Sequence, residues 1–141
     1  MNTAVPSIDA RLPVPPVNAD TEPFWAGCAQ GELRYQQCVR CGSVQFPPRG
    51  HCATCQAQAP AWRTSARRGS VHSFTVVHRA PTPAFRSQVP YLIALVDLDE
   101  GFRLMVNLRG CAPEAASIGA RVRIVFEPRD GMALPQAERL A

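Results

Sequence analysis

Cys38-Val39-Arg40-Cys41 and Cys52-Ala53-Thr54-Cys55 are two CxxC pairs ten residues apart, and their spacing decides the first half of the fold. A CxxC turn can point both sulfurs at one centre, and two such turns facing each other supply four thiolates to a tetrahedral metal site. Gly42 follows the first pair, where the turn needs a conformationally permissive residue. Between the pairs, Val44 to Phe46 reads as a short strand antiparallel to Leu33 to Gln37, which leads into the first knuckle. That arrangement is a zinc ribbon.

A ribbon of this size has little core of its own, so bound metal would contribute folding free energy on the order of 10 kcal/mol. Structural Zn2+ on Cys38, Cys41, Cys52 and Cys55 is the expectation. An iron site of rubredoxin type takes the same four ligands, and a degenerate ribbon without metal is the third alternative. Four thiolates leave no open coordination position, so the metal is expected to hold structure and not to activate water. Cys28 and Cys111 fall outside the pattern and read as small buried thiols; His51, beside Cys52, reads as a surface histidine.

On the N-terminal side, residues 1–19 carry four prolines and no periodicity, an extended or disordered lead-in that could lie against a partner. A helix is predicted within 20–32: Asp20 or Thr21 can cap it, Glu22 and Pro23 occupy its first turn, and Gly31 can end it. Its aromatic pair, Phe24 and Trp25, either docks on the chain's own core or faces a partner or ligand channel.

With the ribbon placed at 33–62, residues 63–141 read as strand after strand. Val71, Ser73, Thr75 and Val77 fall on one face of the first, and His72, Phe74, Val76 and His78 on the other. Tyr91 to Leu98 is a nearly continuous apolar run, suited to a strand buried on both faces. Asp99-Glu100-Gly101 is a hairpin turn. Phe102, Leu104, Val106 and Leu108 alternate inward along the next strand, as do Val122, Ile124 and Phe126 along the one after. A short fifth strand near Met132 to Leu134 would complete a five-stranded oligonucleotide/oligosaccharide-binding (OB) barrel, closed or partly open. The fold class is therefore mainly β: N-terminal helix, rubredoxin-like zinc ribbon, then OB-fold barrel. The proline-flanked connection Ala80 to Pro90, around Phe85, is a stiff loop of the kind that carries function.

The chain has 141 residues and a net charge of +4, from 15 arginines, no lysine and 11 carboxylates. Arginine forms bidentate pairs with phosphate and carboxylate, so this set suits phosphorylated ligands or an acidic partner surface; coding bias is the plainer explanation. With no apolar run of membrane-spanning length and no signal-peptide h-region, a soluble, cytoplasmic protein is expected.

Taken in order, Pro23-Phe24-Trp25, Gly31-Glu32-Leu33, CxxC-Gly42, Phe46-Pro47-Pro48-Arg49, the second CxxC, Trp62, Gly69-Ser70-Val71-His72-Ser73-Phe74, Val89-Pro90-Tyr91 and Leu98-Asp99-Glu100-Gly101 resemble the DUF35 family. The resemblance covers about residues 20–135. It implies a zinc ribbon and OB barrel acting with acyl-CoA enzymes, as an accessory subunit or fused domain of thiolase-like enzymes or MaoC-like hydratases, including aldolases of steroid side-chain breakdown. On that reading the chain is not catalytic alone and belongs to a hetero-oligomer.

Acyl-CoA is then the expected ligand or shared substrate. Its phosphates would be held by arginines among Arg67, Arg68, Arg79, Arg86, Arg103 and Arg109, and its pantetheine and acyl parts by a groove drawn from Phe74, Phe85 and Tyr91. Phe24 and Trp25 join the set as partner or channel contacts. Open barrel edges, the helix aromatics and the lead-in all favour a complex. The alternative is a nucleic-acid-binding module, since ribbons and OB barrels serve that role too. Yet the outward residues Arg103, Met105, Asn107 and Arg109 include no aromatic on which a base could stack. A free-standing enzyme finds little support, for the chain has no GxSxG elbow, no Walker loop and no GxGxxG.

Overall fold

The computed structural model describes residues 11–140. The first ten residues of the expected lead-in lie outside them. Residues 11–17 form no helix or strand. Helix α1 (Glu22–Ala29) follows, then strands β1 (Arg34–Gln37), β2 (Val44–Gln45) and β3 (Ala61–Thr64) of the ribbon, and β4 (Arg68–Val77), β5 (Tyr91–Leu98), β6 (Arg103–Arg109), β7 (Arg121–Arg129) and β8 (Met132–Arg139) of the barrel. Among the described residues no helix is long and apolar enough to cross a membrane.

The start of α1 is set by neither expected cap. Thr21 stands at the N-cap position but its side chain caps nothing. Asn18 shapes the turn ahead of the helix, its Oδ1 accepting from the backbone N–H of Asp20 and Thr21, both at 3.0 Å, and its carbonyl oxygen from Glu22 N at 2.9 Å. Gly31, at φ +77°, ends it as expected.

β1 is the centre of the ribbon sheet, with β2 on one side and β3 on the other, both antiparallel. The third strand carries no strand signal in the sequence because Ala61 to Thr64 is short and does not alternate. It pairs Arg34 to Thr64 and Gln37 to Ala61, carrying the chain from the second knuckle back towards the barrel.

The barrel is closed, in the order β4-β5-β6-β8-β7, with β7 returning to pair with β4. Closure removes the open barrel edges expected from the sequence. β8 is also longer than the short strand foreseen, and its parallel pairing with β6 (Leu108 with Ala137) makes the seam. Leu92, Ala94, Val96 and Leu98 from β5, Leu104, Val106 and Leu108 from β6, and Val122 and Ile124 from β7 fill the interior. β5 therefore alternates buried with half-buried residues and is not buried equally on both faces.

β4 corrects another expectation. A bulge between Val71 and Ser73 inserts His72 as an extra residue, so Val71 pairs with Val96 and Ser73 with the next residue, Leu95. The facing flips there: Val71 points inward before the bulge, and Phe74 and Val76 pack on the core after it. His72 does not share the Phe74 face; it is exposed, with Nδ1 3.4 Å from Asp97 Oδ2. Ahead of the bulge, Gly69 passes so close to β5 that a Cβ there would meet the Asp97 carbonyl oxygen.

An aromatic cluster welds the three parts together. Phe24 of α1 sits 5.2 Å from Phe46 of the ribbon, ring centre to ring centre, and Phe46 lies 5.9 Å from Phe102 of the barrel. Tyr35 of β1 stacks on Phe102 at 4.9 Å. These edge-on and offset contacts add to area burial by about 0.5–1.5 kcal/mol per pair.

Candidate metal centre and ligand groove

The two knuckles are built alike. In the first, the N–H of Cys38 donates to Ser43 O and that of Gly42 to Cys38 O; in the second, Cys52 donates to Ala57 O and Gln56 to Cys52 O. Each closes on a left-handed residue, Gly42 at φ +78° and Gln56 at φ +66°. Gln56 adopts a conformation that glycine holds at lower cost.

The sulfurs of Cys38, Cys41, Cys52 and Cys55 all lie within 4.8 Å of one another. Cys38 and Cys55 Sγ are 3.6 Å apart, as are Cys41 and Cys52 Sγ. A tetrahedron with Zn–S bonds of about 2.3 Å has edges of about 3.8 Å, so the cluster fits the ion that the ribbon implies. The Cys41 N–H points at Cys38 Sγ, and the Thr54 and Cys55 N–H groups at Cys52 Sγ, at 3.4–3.5 Å, donors suited to stabilising thiolates. Hydrogen bonding from Ser43 brings the Cys41 thiol down to about 6. The four thiolates would hold Zn2+ in a structural role, with no position left for a substrate.

A relay of two glutamines, invisible in the sequence, sets the second knuckle against the first. Gln45 Nε2 donates to Gln36 Oε1 (2.8 Å) and His51 O (3.0 Å), while its Oε1 accepts from Ala53 N at 2.8 Å. Gln36, 4% exposed, donates to Arg49 O and accepts from Arg49 N. His51 itself is exposed and outside the cluster. Of the remaining thiols, Cys28 is buried in the core, which pushes it up to about 12, whereas Cys111 is only half-buried and lines a small polar recess with Arg109 and Glu127.

On the barrel wall lies a mostly apolar groove of about 400 Å3, within the usual range for small-molecule sites. Trp25, Phe85 and Tyr91 line it, bringing together three residues singled out in the sequence, with Phe85 and Tyr91 5.7 Å apart. Ile93, Met105 and Leu134 extend the apolar wall; Asn107, Gln136 and Arg129 add polar groups. Gln136 is buried, its Oε1 accepting from Asn107 N at 2.7 Å. The sequence marks Asn107 only as an outward residue of its strand, and Arg129 and Gln136 not at all, because their meeting depends on the β6–β8 seam.

Other residues of the expected set lie elsewhere. Phe24, 3% exposed, is a core residue and no partner contact; Phe74 packs on the barrel interior and does not line the groove. Arg67, at φ +63°, carries its guanidinium 5.8 Å over the Phe126 ring. Arg103 is clamped on Asp97 through two hydrogen bonds, and Arg109 sits 3.8 Å from Glu127. Arg68, Arg79 and Arg86 are exposed.

Residues 25–61 match the family model described as the ChsH2 rubredoxin-like zinc ribbon domain, and residues 62–127 match the ChsH2 C-terminal OB-fold domain. The chain is 38% identical over 115 residues to a probable enoyl-CoA hydratase alpha subunit of Thermomonospora curvata, covering 80% of this chain and 35% of that one. It thus spans about a third of that relative's length. It is 34% identical to a DUF35 domain-containing scaffold protein of Methanothermobacter thermautotrophicus, over 67% of this chain and 71% of the other. Among solved structures it is similar to a chain of the Ltp2-ChsH2(DUF35) aldolase, with a TM-score of 0.82 and 34% identity over 89% of this chain and 98% of that one. With both halves of the fold matched in order and a four-cysteine cluster of zinc-binding geometry between helix and barrel, the chain belongs to the DUF35 family.

Proposed function

We propose that this chain is a non-catalytic accessory subunit of an enzyme acting on CoA esters, one that binds the ester, helps to complete the active site of a thiolase-like or MaoC-like partner, or both. The observation that carries the reading is the groove: an aromatic-lined channel with a few polar groups, in a chain whose relatives are named as a hydratase subunit and an aldolase. Trp25, Phe85 and Tyr91 suit an apolar acyl group, such as a fatty or steroid side chain. Arg79 directly precedes the loop that bears Phe85 and Arg86 follows Phe85 within it; both are exposed and form no salt bridge among the described residues. They are the arginines best placed to pair with the phosphates of CoA. The ribbon, with Zn2+ on its four cysteines, acts as a rigid buttress for α1 and the hairpin at Phe102.

The test is purification of the tagged protein from its native cells, followed by assay of the recovered complex and of the chain alone. A thiolase-like or hydratase-like protein should co-elute in stoichiometric amount, and only the complex should turn over CoA esters. Turnover by the chain alone, or recovery with nucleic acid in place of an enzyme, would reject the proposal.

A further inference from the structure

One wall of the groove does not belong to the barrel. Pro13 and Pro15, from the lead-in before α1, line it together with Trp25 and Tyr91. This stretch cannot join the sheet as a regular strand, because Pro13, Pro15 and Pro16 have no N–H to donate. Its fastening is different: Arg129 Nη1 donates to the carbonyl oxygen of Pro13 at 3.1 Å, across 116 residues of chain.

Arg129 is built for that contact. Its side chain is only 12% exposed, and Nη2 donates to Glu127 Oε2 at 2.7 Å, which fixes the plane of the guanidinium. Its Nε is buried with no partner. A cation held this deep is costly unless it is paired and hydrogen-bonded; Glu127 supplies the pair, and the Pro13 carbonyl supplies a bond that ties the lead-in over the groove. The prolines favour an extended backbone before they dock, so little conformational entropy is lost on fastening them.

We infer that residues 11–17 are a strap that walls the groove, latched by Arg129 to the Pro13 carbonyl, and that the strap gives the groove its preference for long apolar chains. The inference rests on the groove being the seat of an acyl group. A space of about 400 Å3 far exceeds an acetyl group, so only a long chain can touch barrel and strap together. Arg129 is a positioning residue in this scheme, acting through the strap.

The experiment compares acetyl-CoA with dodecanoyl-CoA binding to the full chain, to Arg129→Met, to a chain lacking residues 1–17, and to the two changes combined. Each single change should weaken dodecanoyl-CoA at least fivefold more than it weakens acetyl-CoA. Combined, they should lose no more than the deletion alone, since the latch then has nothing to hold. Equal losses for both esters, or a further loss from Arg129→Met without the strap, would overturn the inference. A reading without ligand accompanies it: in a Trp62→Phe background, acrylamide quenching of Trp25 should rise when the latch is removed, and unchanged quenching would overturn the strap. If quenching rises but the full chain binds neither ester, the strap stands as a wall and the acyl reading of the groove fails.

Discussion

Glu100 accepts a hydrogen bond from Ser65 Oγ at 2.7 Å, tying the β5–β6 hairpin turn to the chain where it leaves the ribbon. The second carboxylate oxygen takes the Ala66 N–H at the same distance, and Ser65 Oγ in turn accepts from Arg67 N. Ser65 N reaches back to Leu33 O, so the turn, the end of β3 and the start of β1 share one knot. The ribbon and barrel are thus fastened by polar bonds on one side and by Tyr35 on Phe102 on the other.

Glu100→Ala should therefore cost about 1–3 kcal/mol, since it strips partners from the buried Ser65 hydroxyl and an amide at once. Thermal unfolding of the variant, followed beside the wild-type chain, measures the loss. Metal content should not change, because the knot lies apart from the knuckles.

Metal removal should act on the ribbon. One Zn2+ per chain is expected by elemental analysis, and Co2+ exchanged into the site should give the absorption of a tetrahedral thiolate complex. Cys52→Ser should lose that spectrum and the ribbon's folding free energy, on the order of 10 kcal/mol. A Cys52→Ser protein with full metal and unchanged unfolding would remove the site.

Gly69→Ala should destabilise the barrel by about 1–3 kcal/mol, the usual cost of forcing atoms into a packed place. The added methyl would meet backbone, the Asp97 carbonyl, and not a side chain free to move aside. The adjoining Ser70→Ala, at a half-buried position, should cost less in the same unfolding assay.

Gln56→Gly should move stability the other way, by about 1 kcal/mol, because φ +66° suits glycine and strains glutamine. Chemical denaturation of the zinc-loaded protein would register the gain.

Acid should weaken the fold through two exposed aspartates. Hydrogen bonds from Arg103 hold Asp97 below the ordinary carboxylate range, and those from Arg121 do the same for Asp99. A carboxyl depressed in the folded state adds stability above its unfolded value of about 3.9, and that stability is lost as pH falls through the folded value. The unfolding temperature should drop as pH falls below about 4 and on through the folded values, and Asp99→Asn should flatten the slope. High salt should shrink the effect, since both pairs face solvent.

Much of this could be read before any coordinates. The four cysteines announce their site through spacing alone, and the alternation of Phe102 to Leu108 names the inward residues of β6 because each position answers to its nearest neighbours. The reading failed where partners distant in the chain decide. The bulge at His72 looks like unbroken alternation until β5 is laid beside it. Asp20 and Thr21 look placed to cap α1, yet the turn ahead of it is shaped by Asn18. Phe85 and Tyr91, which meet on the barrel wall, stand out in the sequence because the proline loop and the strand start are local signals. Arg129, Asn107 and Gln136 do not stand out as a group, since only the pairing of β8 with β6 brings them there.

That pairing bears on how the protein is made. β8 is the last strand of the barrel in the chain, yet it inserts between β6 and β7, which are both older. As the polypeptide leaves the ribosome, β4 to β7 emerge with the flanks of β6 and β7 bare, each a template for a neighbouring molecule. A product cut short before Met132 would keep both flanks and should aggregate. For the nascent chain, protection of the barrel arrives only with β8, so slow elongation near that point prolongs the interval in which a chaperone has to stand in for it.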